Sequence, residues 1–478
     1  MVGDALGRTR ELLIRAGYTG GGLARLLRTG AALNLPAGEL PRARLLLDVT
    51  QKLDCLIALL LLGDELDPRI AEAALADDLN TLIEAGLVGW RADMIQPLAQ
   101  VIPHDEVLIS SDRPSSEPDP LFVPGVQGPS DLLARLTPRA HVARALDLGT
   151  GCGIQAVLLT QHTDDVVATD INERALSIAR RNAALNVTPS VEFRLGDLLE
   201  PVQGEQFDLI VANPPYPISP EHTYVFRDAP VRGDELCRRL VEALPDALTD
   251  GGIAVVLVSW VGTAETPEPL EWASASGCEA LLLVAQVRST IDDGLAWNHE
   301  HLRDADDYGR RVRRWWAFFE AEAIDTVAYG ALVLRRCASE APWAAVVPFP
   351  VSARGAAGHQ VLRLLEAHRA LTRAAGDVRA VGPLVLAPDA LMNARRQRDA
   401  KGLWHTMYEL RLSAGLGMGA DLDAEGAAII AAFESPSTAT DALATAARQL
   451  GRSDASVAPD ADGVIEQALR AGFLELSV

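Results

Sequence analysis

Across the middle of the chain, short apolar runs alternate with stretches of helical spacing. Ala145 to Leu148, Val166 to Thr169, Val191 to Arg194, Phe207 to Ala212, Ile253 to Ser259, Ala280 to Val287 and Val327 to Leu334 each read as a strand, seven in all. Strands alternating with helices predict βαβ units, hence an α/β domain built on a mainly parallel sheet covered on both faces.

The flanks have a different texture. Residues 9 to 112 read as helices, followed by Gly86-Leu87-Val88-Gly89-Trp90 and an apolar, β-rich tail ending near Ile109. Helices followed by a two-stranded wing resemble a winged-helix module, and a plain helical cap fits equally well. After residue 360, helical stretches flank Leu403 to Gly417, and the end, Gly472-Phe473-Leu474-Glu475-Leu476, has a similar winged-helix cadence. Breaks fall where prolines cluster: Arg113 to Pro120 holds Pro114, Pro118 and Pro120, and Ala338 to His359 holds Pro342, Pro348, Pro350, Gly355 and Gly358. The expected organisation is an N-terminal helical domain at 1–112, a linker at 113–120, the α/β domain at 121–337, a second linker at 338–359, and a C-terminal helical domain at 360–478.

Composition narrows the setting. The chain has 478 residues, 49% of them apolar, enough for several cores. Cys55, Cys152, Cys237, Cys278 and Cys337 are far apart and form no C-x-x-C pair, so neither a metal site nor a disulfide framework is expected. The N-terminus lacks a secretory apolar segment, and Leu56 to Leu62 is too short to cross a bilayer. A cytoplasmic protein without a membrane span is the expectation. The net charge of -22 opposes general adhesion to polyanions.

Candidate chemistry begins at Ala145-Leu146-Asp147-Leu148-Gly149-Thr150-Gly151-Cys152-Gly153-Ile154, a strand entering a glycine-rich turn and then a helix. Glycines there let a ligand approach the main chain. Asp170 ends the second strand, where a carboxylate can accept both hydroxyls of a ribose. Gly196-Asp197-Leu198 follows the third strand, and the fourth delivers Asn213-Pro214-Pro215-Tyr216. A nicotinamide dehydrogenase also uses a glycine-rich turn, but it has no use for the last motif.

In this order the set resembles class I S-adenosylmethionine (SAM)-dependent methyltransferases. The likeness is to the small-domain group, which includes protein-glutamine N5-methyltransferases and RNA guanine and adenine N-methyltransferases, and it covers roughly residues 120 to 336. The resemblance implies a seven-stranded Rossmann-like fold with SAM as cofactor. It places Asp147, Gly149, Thr150, Gly151 and Gly153 toward the methionine moiety, Asp170 and Ile171 at the ribose, and Asp197 and Leu198 at the adenine. Asn213, Pro214, Pro215 and Tyr216 become the catalytic loop, with Asn213 also counted among the cofactor-binding residues. An amide or ring amino nitrogen is a poor nucleophile, and acceptors aimed at its N–H bonds, the Asn213 side-chain oxygen and the Pro214 carbonyl, stabilise the charge that develops on methylation. Tyr216 offers a flat face for a planar group.

Phe122-Val123-Pro124-Gly125 lies where glutamine methyltransferases carry a proline-containing segment, but no arginine follows Pro124. Tyr224-Val225-Phe226-Arg227-Asp228 through Gly233-Asp234-Glu235-Leu236 lies where they have a substrate-side loop, with Gly233-Asp234 a partial match, and Arg227 and Asp228 are equally readable as a surface ion pair. Asp307 to Trp316 is rich in arginine and tryptophan, and reads more readily as a helix with Trp315 and Phe319 inward than as a nucleic-acid face. Trp260, Trp272 and Trp297 are candidate pocket residues. The expected partner is a macromolecule, structured RNA ahead of a protein glutamine, with a small-molecule acceptor or a SAM-sensing regulator as alternatives.

Overall fold

The computed structural model describes residues 2–28, 39–114, 119–188, 191–221, 223–228, 232–274, 277–302, 304–337, 342–350, 355–398, 402 and 404–477. The chain divides into two compact units. The first takes residues 1–134, 140–260 and 290–325, and the second takes 135–139, 261–289 and 326–478.

In the first unit the N-terminal helices pack around a core that includes Leu13, Tyr18, Leu56 to Leu60 and Leu82. Two hairpins follow, β1 (Val88–Arg91) with β2 (Met94–Pro97), and β3 (Gln100–His104) with β4 (Val107–Ser111). Leu66, between two helices, makes an isolated bridge to Ile95 of β2. The second hairpin is pinned to helix Glu173–Leu185: the Asn182 side chain accepts from the Ser110 amide at 2.9 Å and donates to the Ser110 carbonyl at 2.8 Å.

The sheet of this unit contains β5 (Val142–Leu148), β6 (Thr163–Asp170), β7 (Val191–Leu195), β8 (Phe207–Ala212) and β9 (Leu248–Val261). They run in the order β9-β8-β5-β6-β7, every pair parallel. The apolar runs of β6, β8 and β9 are continuous because both faces of a parallel sheet are covered, whereas β7, at the edge, alternates apolar with charged residues. Register is what builds the site: Leu148 pairs with Thr169 on β6 and with Ala212 on β8. Three strands therefore end level, with neighbours about 4.8 Å apart.

In the second unit β10 (Cys278–Ser289) pairs antiparallel with β11 (Thr326–Arg336) and parallel with β12 (Ala344–Pro348). All seven expected strands are present, and β10 and β11 oppose each other in direction. Glu279 on β10 and Arg335 on β11 are 1% and 6% exposed and lie 2.6 Å apart, and Arg369 of helix Gly358–Arg373 completes the cluster at 2.8 Å. Beyond it, β13 (Leu384–Leu386) pairs with β17 (Leu474–Leu476), while β14 (Ala390–Arg398), β15 (Trp404–Leu412) and β16 (Gly419–Leu422) form an antiparallel sheet. Helices Ala424–Ala431, Ala439–Leu450 and Asp454–Arg470 close the core around Phe433 and Phe473.

Among the described residues no helix is long and apolar enough to cross a membrane, and no group of His, Cys, Asp or Glu could hold a metal ion. The five cysteines carry free thiols.

Candidate active site

The site begins where β5 ends. Asp147 is 2% exposed, and its Oδ2 accepts from the Thr150 hydroxyl at 2.6 Å and from the Ala156 amide at 2.9 Å, so one carboxylate folds the turn onto the following helix. Gly151 has φ +53° and Gly153 φ +84°, backbone values that suit glycine. Their surroundings differ. A Cβ on Gly153 would come within 2.7 Å of the Ala179 Cβ, so this glycine permits close helix packing, whereas a Cβ on Gly151 would meet nothing within 4 Å. The turn is tight on the protein side and open on the other.

Asp170 sits beside it on β6. One oxygen accepts from the Gly151 amide at 2.9 Å and the other from the Asn172 amide at 2.8 Å. A carboxylate has about four lone-pair positions, so each oxygen can still accept a ligand hydroxyl. Ile171, next in the chain, is 57% exposed, an apolar surface at the rim. Asp197 is exposed after β7, and Leu198 holds φ +45°. Burial pushes the carboxyl of Asp147 up to about 7, against the pull of the Thr150 and Ala156 donors, and burial also raises that of Asp170.

Asn213 follows Ala212 directly, level with Gly149 on the neighbouring strand. Among the described residues neither the Asn213 side chain nor the Pro214 carbonyl has a hydrogen-bond partner in the protein. The rest of the loop is braced. The Tyr216 carbonyl accepts from the buried Ser259 hydroxyl at 2.5 Å, and a Cβ on Gly233 would fall 2.2 Å from that carbonyl oxygen. Tyr216 is only 9% exposed, which leaves little ring for a stacked group. The loop thus presents two free acceptors on a rigid mount.

Two segments far apart in sequence meet nearby. The Val225 amide donates to the Pro120 carbonyl at 3.1 Å, and the Phe226 ring lies 6.0 Å from Phe122 and 5.4 Å from Tyr224. The expected surface ion pair is a buried one: Arg227 and Asp228 lie 2.9 Å apart with side chains 11% and 0% exposed, and Asp228 also accepts from the Thr223 and Tyr224 amides. Asp112, paired with Arg174 at 2.8 Å, anchors Val123, and Asn172 donates to the Leu121 carbonyl. Sequence reading missed these braces, as it missed Ser259, because isolated polar residues carry no periodic signal. Trp260 is fully buried and belongs to the core. In the helix Ala305–Ala321, Arg310 and Arg311 pair with Asp307, Arg314 pairs with Glu221, and Trp315 and Phe319 are 1% exposed, so that stretch is structural.

Residues 125–263 match the family model for the methyltransferase small domain. This stretch is a methyltransferase domain of the class I SAM-dependent type, the class that the strand order and the two turns define. Among curated proteins, the chain is 44% identical over 89 residues to the release factor glutamine methyltransferase of Koribacter versatilis, covering 18% of this chain and 31% of that one. It is 35% identical over 139 residues to that of Geobacter sulfurreducens, covering 26% and 48%. It is 36% identical over 126 residues to the ribosomal protein uL3 glutamine methyltransferase of Bradyrhizobium diazoefficiens, covering 23% and 40%. The chain thus spans less than half the length of these relatives.

Proposed function

We propose that the chain is a SAM-dependent N-methyltransferase whose acceptor is the side-chain amide of a glutamine in a protein of the translation machinery. One observation carries the chemistry: two acceptors without a partner among the described residues, the Asn213 side-chain oxygen and the Pro214 carbonyl, stand level with the open glycine turn at the end of the adjacent strand. The relatives' names support a glutamine amide. Sequence alone puts RNA first as acceptor, and these names reverse that order.

The residues suit SAM. Asp170 keeps acceptor capacity for a ribose, Ile171 offers an apolar contact, and the space over Gly149 and Gly151 admits a ligand against the main chain. Bound there, SAM would supply an electrophilic methyl group. The Asn213 oxygen and Pro214 carbonyl would accept the two amide hydrogens and orient the nitrogen toward the methyl group. They would stabilise the positive charge that develops on the nitrogen as the C–N bond forms and the methyl–sulfur bond breaks, with S-adenosylhomocysteine as the leaving group and the proton then lost to water. We also read the N-terminal helices with β1 and β2, and the last helices with β13 and β17, as winged helices; the bridges Leu66 to Ile95 and Leu384 to Ser437 support a third strand in each.

To test the assignment, isotopically labelled SAM is offered in parallel to release factors, ribosomal proteins, protein-free ribosomal RNA and a metabolite extract. Label confined to a protein fraction is expected. Label in nucleotides or in small molecules would overturn the choice of acceptor.

SAM is cationic and favours an ionised Asp147, whose carboxyl in the ligand-free fold is held up to about 7. Binding is therefore expected to weaken as pH falls below that value, approaching about tenfold per pH unit. The ligand-free fold has the opposite dependence: between the ordinary 3.8 and about 7 only the folded state holds this proton, so its stability falls as pH rises. Titration calorimetry at several pH values reads the first effect, and Asp147→Asn should flatten it.

A further inference from the structure

The hairpin of β14 and β15 changes character from base to tip. At the base, Ala390 pairs with Leu412 and Met392 with Leu410, and Leu410 is 1% exposed within the core of the second unit. From Asn393 to Arg398 every residue of β14 is exposed, and Trp404 is 59% exposed. Residues directly opposite across an antiparallel pair share a face, so Arg396 stands with Thr406, and Arg398 with Trp404, all on one side. The Arg396 guanidinium lies 5.5 Å from the centre of the Trp404 ring.

Charge singles this hairpin out. In a chain of net charge -22, residues 391–412 carry Arg395, Arg396, Arg398, Lys401 and Arg411 against only Asp399 and Glu409. Arg395, on the opposite face, pairs with Asp421 at 2.8 Å. Arg396 and Arg398 have no carboxylate partner among the described residues; Arg398 donates instead to the Gly402 carbonyl at 2.8 Å. An exposed indole and two guanidiniums with no carboxylate partner among the described residues add nothing to the core, and a polar two-stranded hairpin is only marginally stable by itself.

We propose that this face binds single-stranded RNA. Arg396 and Arg398, about 6.7 Å apart along the strand, pair with successive phosphates, while Trp404 stacks on a base. An acidic peptide would satisfy the arginines but would leave the indole largely unused, whereas every nucleotide carries both a charge and a flat ring. The inference goes beyond the methyltransfer reading and does not rest on it, since it concerns docking and not the acceptor atom.

The test uses the full chain and a fluorescently labelled, unstructured RNA of about 12 nucleotides, followed by anisotropy over a salt series. Trp404→Ala is expected to weaken binding about 5- to 150-fold, the range for loss of one base stack. Arg396→Glu with Arg398→Glu should weaken it further and make the salt dependence shallower. Thr406→Lys adds a cation to the same face and should tighten binding, a gain that misfolding cannot imitate. SAM affinity should be unchanged in all three. Failure of the unaltered chain to bind the RNA, unchanged affinity in the first two variants, or tighter binding of a poly-glutamate peptide than of the RNA would each overturn the proposal.

Discussion

Asn213→Ala is expected to lower kcat by about 100- to 1,000-fold while leaving the affinity for SAM within about twofold. The Asn213 side chain has no partner within the protein among the described residues, so its removal disturbs no internal hydrogen bond. It also lies on a loop fixed independently by Ser259 and by the packing of Gly233. On the proposed function, what disappears is an acceptor for an amide hydrogen, whose contribution grows as charge develops on the nitrogen. Single-turnover kinetics read the chemical step and calorimetry reads cofactor binding. Equal losses in both would mean that Asn213 shapes the cofactor pocket instead, and retained turnover would remove it from the mechanism.

The largest effect on stability is expected at Glu279. Its carboxylate lies between Arg335 and Arg369; burial alone would raise its pKa, and the two guanidiniums hold it below the usual value. Glu279→Ala leaves Arg335, 6% exposed, with Glu366 as its only charged partner among the described residues. Breaking a buried ion pair from one side costs about 3–5 kcal/mol. Glu279→Gln keeps an acceptor and should cost less, about 1–3 kcal/mol. Denaturant titration distinguishes the two variants, and a loss below about 1 kcal/mol for the alanine would mean that water replaces the carboxylate.

Much of this molecule is legible in its residue pattern, for definite reasons. Strands buried on both faces must be continuously apolar, so β6, β8 and β9 stand out, and a glycine turn followed by an acid at the next strand end marks the candidate cofactor edge. Direction is less visible: the apolar runs of β10 and β11 look like those of the parallel strands although the two oppose each other. The hairpin of β14 and β15 was invisible for a physical reason. Its outer half covers no core, so Ala394-Arg395-Arg396-Gln397-Arg398 shows neither alternation nor β-branched residues. The meeting of Phe122 with Phe226 was hidden too, because proximity between segments so distant in sequence is set by the sheet and not by local spacing. Tyr216 shows the converse, a residue easy to pick out by motif whose ring the fold largely covers.

The claim that joins these parts is that the Asn213-Pro214 acceptors hold a glutamine amide for methylation. It is tested most directly by incubating a translation protein that takes up label, with SAM and either the unaltered chain or Asn213→Ala, and mapping the product by tandem mass spectrometry. One added methyl on a glutamine side-chain nitrogen, formed by the unaltered chain and nearly absent with the variant, is the predicted result. A methyl group on another atom, or equal methylation by both chains, would contradict it.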